Sequence, residues 1–512
     1  MRPAHGAAPM VVLFAAALAA ASPESASSEP HAAPTGALHM GAVPGLEAEL
    51  GGNLRASFLS VQEFPSDRDG TRLAPDPLET RIRLAPGLRT GRVSLIAEGD
   101  FLTGAAFGLP TADLRLGAAP HPELELAELR QAYLEYRREL WLARLGQQTW
   151  QWGLGLVANS GASDAAPGDF GDARGGDRSV RALVAGRPLF ALGGAFRAIE
   201  PALAADWVVR DDTVDVRRGD RAVQGVFALR FAVDEGRHVG VYSAYRRQHQ
   251  AGSSAFPRTA DVWVLDVAGR WKWGPTASGI ESRVGAEAAW ITGRSTLARS
   301  DSAPEQRLRQ GGAAVKSSAR IGRWEALLDI GYASGDRNPY DDLLEGFRFD
   351  WDYRAGVVLY QELLGWNTAR TYAWATDPRL IGVPPEGAEL LPSRGAVFGS
   401  AYAFPRLRWA AREWLDLYGG PLLAIATVPL IDPFNTQVAG GTPRNALDGR
   451  PGGWFGTEYD LGAQARYERV RGMVLSLTAE AGYLIPGSAF ADATGRTLDP
   501  IAAGRLRAAI RF

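Results

Sequence analysis

From about residue 46 to the last residue, apolar and polar side chains alternate with a period of two, run after run. In "GIESRVGAEAAW" (279–290), Ile280, Ser282, Val284, Ala286, Ala288 and Trp290 share one face. Glu281, Arg283, Gly285, Glu287 and Ala289 share the other. "YDLGAQARYE" (459–468) and "MVLSLTAEAGY" (473–483) alternate in the same way, and the short "VRG" between them predicts a hairpin. Period two is the mark of a strand with unlike faces, because successive side chains point to opposite sides.

Comparable runs lie near 46–58, 78–88, 92–102, 127–137, 141–151, 178–188, 221–232, 237–249, 260–271, 310–321, 324–334, 351–361, 395–408, 412–427 and 501–512. Weaker ones near 200–210 and 365–374 raise the count, and including both keeps the short turns on one side throughout. Most runs match the ~9–11 residues of a strand tilted across a bilayer rather than the ~5–6 of a globular strand. The fold expected is all-β: a single transmembrane antiparallel β-barrel of 18–20 strands.

The connections alternate too. Short turns at "GLRTG" (87–91), "RREL" (137–140), "DEGR" (234–237), "IGR" (321–323) and "VRG" (470–472) contrast with long stretches at 152–177, 335–350, 376–394 and 428–457. Short periplasmic turns and long extracellular loops are the habit of outer-membrane barrels. Trp141, Trp150, Trp152, Trp271, Trp273, Trp290, Trp366, Tyr467 and Tyr483 fall near run ends, as the aromatic girdles of such a barrel require.

The N-terminus changes the picture in one respect. Arg2, the short apolar core 10–20 and the small residues 19–22 predict a signal peptide over 1–21, cleaved after Ala21. Residues 22–45 read as a flexible lead-in and 46–512 as the barrel, with no room for a large N-terminal plug. No later segment is apolar enough for a membrane helix. There is no Cys, which removes thiolate chemistry, and the net charge of −2 gives no reason to expect a nucleic-acid partner.

The last strand, "GRLRAAIRF", places Ile510 and Phe512 on the apolar face and Arg505, Arg507 and Arg511 on the other. It resembles the C-terminal assembly signal of bacterial outer-membrane barrels. That likeness implies recognition by the barrel-assembly machinery through Phe512 and Ile510. Tyr133 and Tyr136, then Arg144, Gly146 and Gln148, then Trp152 and Gly153, resemble a hairpin of alginate-export-like and related porin-like barrels. "WGLGLVANSG" (152–161) and "GVPPEGAELLPSRGAVFGSAY" (382–402) are similar to a porin-like family of about this length from myxobacteria and their relatives. The resemblance implies a barrel and names no solute; nothing singles out alginate.

If the apolar faces meet lipid, the others line the lumen. Candidate pore-lining residues are Arg144, Gln148, Arg230, Arg270, Arg283, Glu287, Lys316, Arg320, Asp329, Arg354, Arg408, Arg412, Arg466, Arg505 and Arg507. Glu98, Asp100, Asp266, Glu281, Asp416, Asp460, Glu468 and Glu480 supply acids on the same side. Two readings stand: ion pairs that stiffen the wall, or an electropositive constriction that selects anions.

Catalysis is not expected. His238 and His249 lie at opposite ends of one run, about 36 Å apart at ~3.3 Å per residue, and no Ser or Asp beside them suggests an oriented base. The carboxylates of 66–70, 169–177 and 336–342 lack calcium-loop spacing, so neither a metal nor a cofactor is predicted. The expected function is an outer-membrane channel for passive diffusion of small polar or anionic solutes. Its pore would be narrowed by in-folded loops, with 152–177 and 428–457 the best candidates. Lipid and lipopolysaccharide would be its surroundings. The alternative is a non-conducting barrel acting as adhesin, scaffold or secretion partner.

Overall fold

In the computed structural model, the alternating runs become eighteen antiparallel strands hydrogen-bonded into one closed sheet. The structure describes residues 38–43, 45–109, 124–161, 166–172, 175–251, 257–298, 300, 303–338, 341–381, 386–470 and 472–512. The first strands are β1 (Leu46–Val61), β2 (Leu78–Thr90), β3 (Val93–Phe107), β4 (Glu125–Arg137), β5 (Trp141–Thr149) and β6 (Arg178–Gly186). Next come β7 (Ile199–Arg210), β8 (Arg221–Asp234), β9 (Arg237–Gln250), β10 (Arg258–Trp273), β11 (Ile280–Ser295) and β12 (Gln306–Ile321). The last are β13 (Trp324–Ala333), β14 (Ser400–Arg412), β15 (Leu415–Ala426), β16 (Trp454–Val470), β17 (Met473–Pro486) and β18 (Ile501–Arg511).

Each strand pairs with the next, and β18 pairs with β1 from Asn53↔Arg511 to Val61↔Ala503. Closure leaves neither strand with a free edge, which the apolar interior of a bilayer demands. The short turns, the start of β1 and Phe512 gather at one end of the barrel, and the long connections gather at the other.

Burial is inverted relative to a water-soluble protein. Leu461 is 67% exposed, Leu506 56% and Trp263 55%, whereas Arg130 and Asp266 are fully buried and Arg505 is 4% exposed. An outward charge near the bilayer midplane would cost about 2–4 kcal/mol, so charges turn inward and apolar residues outward. On β10 the outward Trp263 and Trp271 stand eight positions apart, as do Tyr459 and Tyr467 on β16. That spacing is roughly 27 Å along a strand and about 20 Å along the membrane normal at the usual tilt.

Several expectations are corrected. The run 351–361 is not a strand: Leu359–Leu364 forms a π-helical turn, and it continues as helix α1 (Gly365–Ala375) through the second weak run. Its alternation is accidental, because those residues are buried on all sides rather than on one. The weak run 200–210 is strand β7. The two long stretches 335–350 and 376–394 belong to one connection, 334–399, between β13 and β14. Removing one predicted strand and adding another leaves the short turns on one side. Trp150, Trp152 and Trp366 do not join a girdle: the first two turn into the lumen, and Trp366 is buried within the 334–399 connection.

Within the lead-in, Leu38–Val43 pairs antiparallel with the first residues of β1, just beyond the point where β18 ends. The expected signal peptide, residues 22–37 and His121 lie outside the described residues.

Candidate functional site: a charged lumen crossed by two segments

The inward faces build ladders of ion pairs between neighbouring strands. Arg83 makes two bonds to Asp100, at 2.6 and 2.8 Å, and Arg181 makes two to Asp206, both 2.7 Å. Arg130 donates to Glu98 at 2.6 Å, and Arg505 to Glu480 at 2.8 Å. Register explains these contacts, since Arg83 stands directly opposite Asp100 and Arg505 opposite Glu480.

Most of the predicted pore-lining cations sit in such pairs. Arg144 bonds Glu135, Arg230 bonds Glu200, Lys316 lies 3.7 Å from Asp329, and Arg320 meets Glu281. Arg408 bridges Glu325 and Asp416, and Arg466 shares Asp416. Gln148 donates to the Arg181 carbonyl. Arg270 and Arg283 are exposed near the short-turn end. Arg412 is exposed there too, past an irregularity in the β14–β15 pairing, and donates to the carbonyl of Ala411. Arg354 is buried on the 334–399 connection rather than on the wall. His238 and His249 occupy opposite faces of β9 as well as opposite ends.

The second feature is what the wall side chains hold. In the connection after β5, the described residues 150–161, 166–172 and 175–177 reach wall side chains on well-separated strands. Near its start, the Trp152 indole donates to Asp266 at 3.2 Å, and Glu287 accepts the amides of Leu154 and Leu156. Farther along, Arg406 holds the carbonyl of Gly168 and Arg505 that of Phe170. Arg507 takes the Gly171 carbonyl, and Arg55 pairs with Asp172 at 2.6 Å. On the return, Arg130 holds the carbonyls of Ser160 and Gly175. The anchors come from β1, β4, β10, β11, β14 and β18, so the segment is tied around the circumference. Charge-assisted bonds of this kind contribute about 1.5–3 kcal/mol each, enough in sum to fix an otherwise irregular chain.

The 334–399 connection fills the loop end of the lumen beside β14–β18. Glu458 on β16 accepts the amides of Val357, Val358 and Leu359 at 2.6, 2.7 and 2.7 Å, occupying three donors at the start of the π-helical turn. Val358, Leu359, Tyr360, Leu363 and Leu364 are fully buried and pack with Phe404, Leu422, Phe455, Leu484 and Ile501 of the wall. The hydroxyls of Tyr353 and Tyr402 share a 2.8 Å hydrogen bond. The stretch 428–457, expected to narrow the pore, packs over this segment: Asp432 accepts from Thr371 of α1, and Phe434 packs edge-on against Trp374.

Where the two segments meet, Asp352 accepts the Gly176 amide at 2.6 Å, and the Asp350 amide donates to the Leu156 carbonyl at 2.8 Å. Around this junction stand Asp177, Asp211, Asp212 and Asp350, faced by Arg246, Arg348 and Arg394. Arg246 pairs with Asp211, Arg348 lies 3.8 Å from Asp212, and Arg394 covers the Trp351 ring at 4.7 Å. Burial, with the charges of Asp211 and Asp212, holds the Asp177 carboxyl well above its usual range. Burial and the charges of Asp177, Asp212 and Asp352 do the same to Asp350. Burial and the nearby Arg348 push Arg394 down to about 9.

This junction is absent from the sequence-derived candidates, because its residues other than Arg246 of β9 lie in connections without periodicity. Arg83, Arg130, Arg181 and Arg406 are absent as well: alternation marks Arg83, Arg181 and Arg406 as inward, whereas Arg130 shares the parity of the outward Leu134 and turns inward through an irregularity in the β3–β4 pairing.

No protein-family model matches the chain, and no curated protein matches it. Among solved structures, Pseudomonas aeruginosa OccK9 (OpdG) is similar with a TM-score of 0.50 at 11% identity, over 91% of this chain and 98% of that one. Acinetobacter baumannii OccAB1 gives 0.49 at 10% identity, over 94% and 99%. The outer-membrane protein OprD of Pseudomonas aeruginosa gives 0.46 at 10%, over 94% and 96%. At such identity the likeness to OccK9 is one of fold.

Proposed function

We propose that this chain is an outer-membrane channel of a Gram-negative bacterium, through which small polar or anionic solutes diffuse passively. The observation that carries the reading is the inverted barrel, apolar outside and charged inside, with two connections fixed in its lumen by wall side chains. A wide unobstructed pore would have no use for these anchors, whereas a selective one needs a rigid constriction. At the junction of the two segments, Asp177 and Asp350 hold protons more readily than free aspartate. Each of these acids that holds its proton weakens the negative charge facing Arg246, Arg348 and Arg394, which favours anions.

In this reading the short turns face the periplasm, 1–21 is a cleaved signal peptide, 22–45 leads into the barrel and 46–512 forms it. The assembly machinery engages the last strand, including Ile510 and Phe512. The resemblance to alginate-export-like and myxobacterial porin-like barrels belongs to the same proposal. One observation favours the non-conducting alternative: the dry packing of Val358–Leu364 against β14–β18 closes that sector of the lumen. Swelling of proteoliposomes in small anionic, neutral and cationic solutes separates the two. Faster swelling in the anionic solutes supports the channel, and swelling no faster than in protein-free vesicles contradicts it.

A further inference from the structure

Above the lipid-facing band, the outer surface changes character on one sector. At the long-loop end of β9–β12, outward positions carry arginines. Register places Arg247 opposite Asp261, Asp261 opposite Arg294, and Arg294 opposite Arg307. One row nearer the band, Tyr245, Trp263, Thr292 and Arg309 stand side by side. With strands about 4.8 Å apart, the four arginines occupy a strip roughly 15 Å wide.

The side chains of Arg247, Arg294, Arg307 and Arg309 are 67%, 71%, 67% and 58% exposed. Each rests on an exposed carboxylate: Asp261 at 3.0 Å, Glu305 at 3.3 Å, Asp342 at 2.8 Å, and Glu345. Such pairs are weak in water, so each guanidinium is free to exchange its partner. The aromatic row marks the level where a membrane passes from hydrocarbon to headgroup. A row just beyond it, pointing outward in the membrane plane, meets the headgroups of neighbouring lipids. Arginine binds phosphate through two parallel hydrogen bonds, a better match than a single carboxylate oxygen.

We propose that this strip holds the phosphate groups of a phosphorylated glycolipid of the outer leaflet. The proposal rests on the outer-membrane placement given above and not on conduction. The test compares the wild-type barrel with the triple variant Arg247→Ser, Arg294→Ser, Arg307→Ser, each purified in mild detergent from outer membranes. Co-purified lipopolysaccharide is quantified by mass spectrometry. Rebinding is then measured with purified lipopolysaccharide and with phosphatidylglycerol.

The expected result is a several-fold loss of lipopolysaccharide from the triple variant, with the folded gel band unchanged. The pair Asp261→Asn and Glu305→Gln should retain at least as much as wild type. Equal retention by the triple variant, or phosphatidylglycerol binding as tight as lipopolysaccharide, overturns the proposal. If the triple variant does not fold, Arg294→Ser alone decides, with retention expected to fall by about half; unchanged retention in Arg294→Ser then overturns the proposal. Glycolipid rebinding is read without any conductance, so a silent barrel that still binds fails the channel reading and leaves this one standing.

Discussion

Gly52 and Phe512 exchange both backbone hydrogen bonds: the Gly52 amide donates to the Phe512 carbonyl at 2.8 Å, and the Phe512 amide donates to the Gly52 carbonyl at 3.1 Å. The pair closes the barrel. It is also tight, since a Cβ built on Gly52 would stand 2.6 Å from Cζ of the Phe512 ring and 2.8 Å from the Arg83 carbonyl oxygen. Gly52→Val should therefore disturb both neighbours of β1 at once. The expected outcome is a several-fold loss of the folded, heat-modifiable form on gels of outer-membrane fractions. Deletion of Phe512 should give a loss of similar size, because it removes one bonded pair and the ring that covers Gly52.

Glu458 on the wall accepts three amides at the start of the π-helical turn in the 334–399 connection. Glu458→Ala leaves three buried amides without an acceptor, at about 1–3 kcal/mol each. The turn should loosen, with single-channel conductance rising several-fold and becoming noisy. Glu458→Gln keeps one acceptor oxygen and should fall between. Planar-bilayer recordings of the three proteins check the order.

Glu287 plays the matching part for the 150–177 segment, accepting the amides of Leu154 and Leu156. Glu287→Ala should release the Trp152 end while the barrel stays closed. Limited proteolysis reads this directly: cleavage within 152–177 should speed up markedly in the variant, and the heat-modifiable shift should persist.

The junction of the two segments makes selectivity depend on pH. Asp177 and Asp350 are acids whose values are raised in the folded protein, so on acidification they become neutral before a free aspartate would. Each proton taken up removes a negative charge beside Arg246 and Arg348. Anion preference should therefore grow as pH falls below neutral. At the other extreme, Arg394 loses its charge near pH 9, and anion preference should drop there. Reversal potentials under a salt gradient follow both limbs. Asp177→Asn with Asp350→Asn should flatten the acid limb, and Arg394→Gln the alkaline one.

The wall was legible because a strand with lipid on one side and polar lumen on the other must alternate, and alternation survives in a single sequence. β11 and β16 show it, down to which face carries Glu287 and Asp460. β7 was faint because Ala202, Ala204 and Val208 break up the inward charges of Glu200, Asp206 and Arg210, while Pro201 and Ala205 thin its outward face. The contents of the lumen were illegible for a related reason. Residues 357–364 touch protein on every side, so no periodicity separates their faces, and a chance alternation passed for a strand. The pairing of Glu458 with backbone amides 99–101 residues away leaves no local trace.

The most direct test of the account is single-channel recording of the purified, folded wild-type barrel in a planar bilayer under a salt gradient. Small discrete conductance steps with an anion-favouring reversal potential are the predicted result. A membrane that stays silent while the inserted barrel remains heat-modifiable would contradict it.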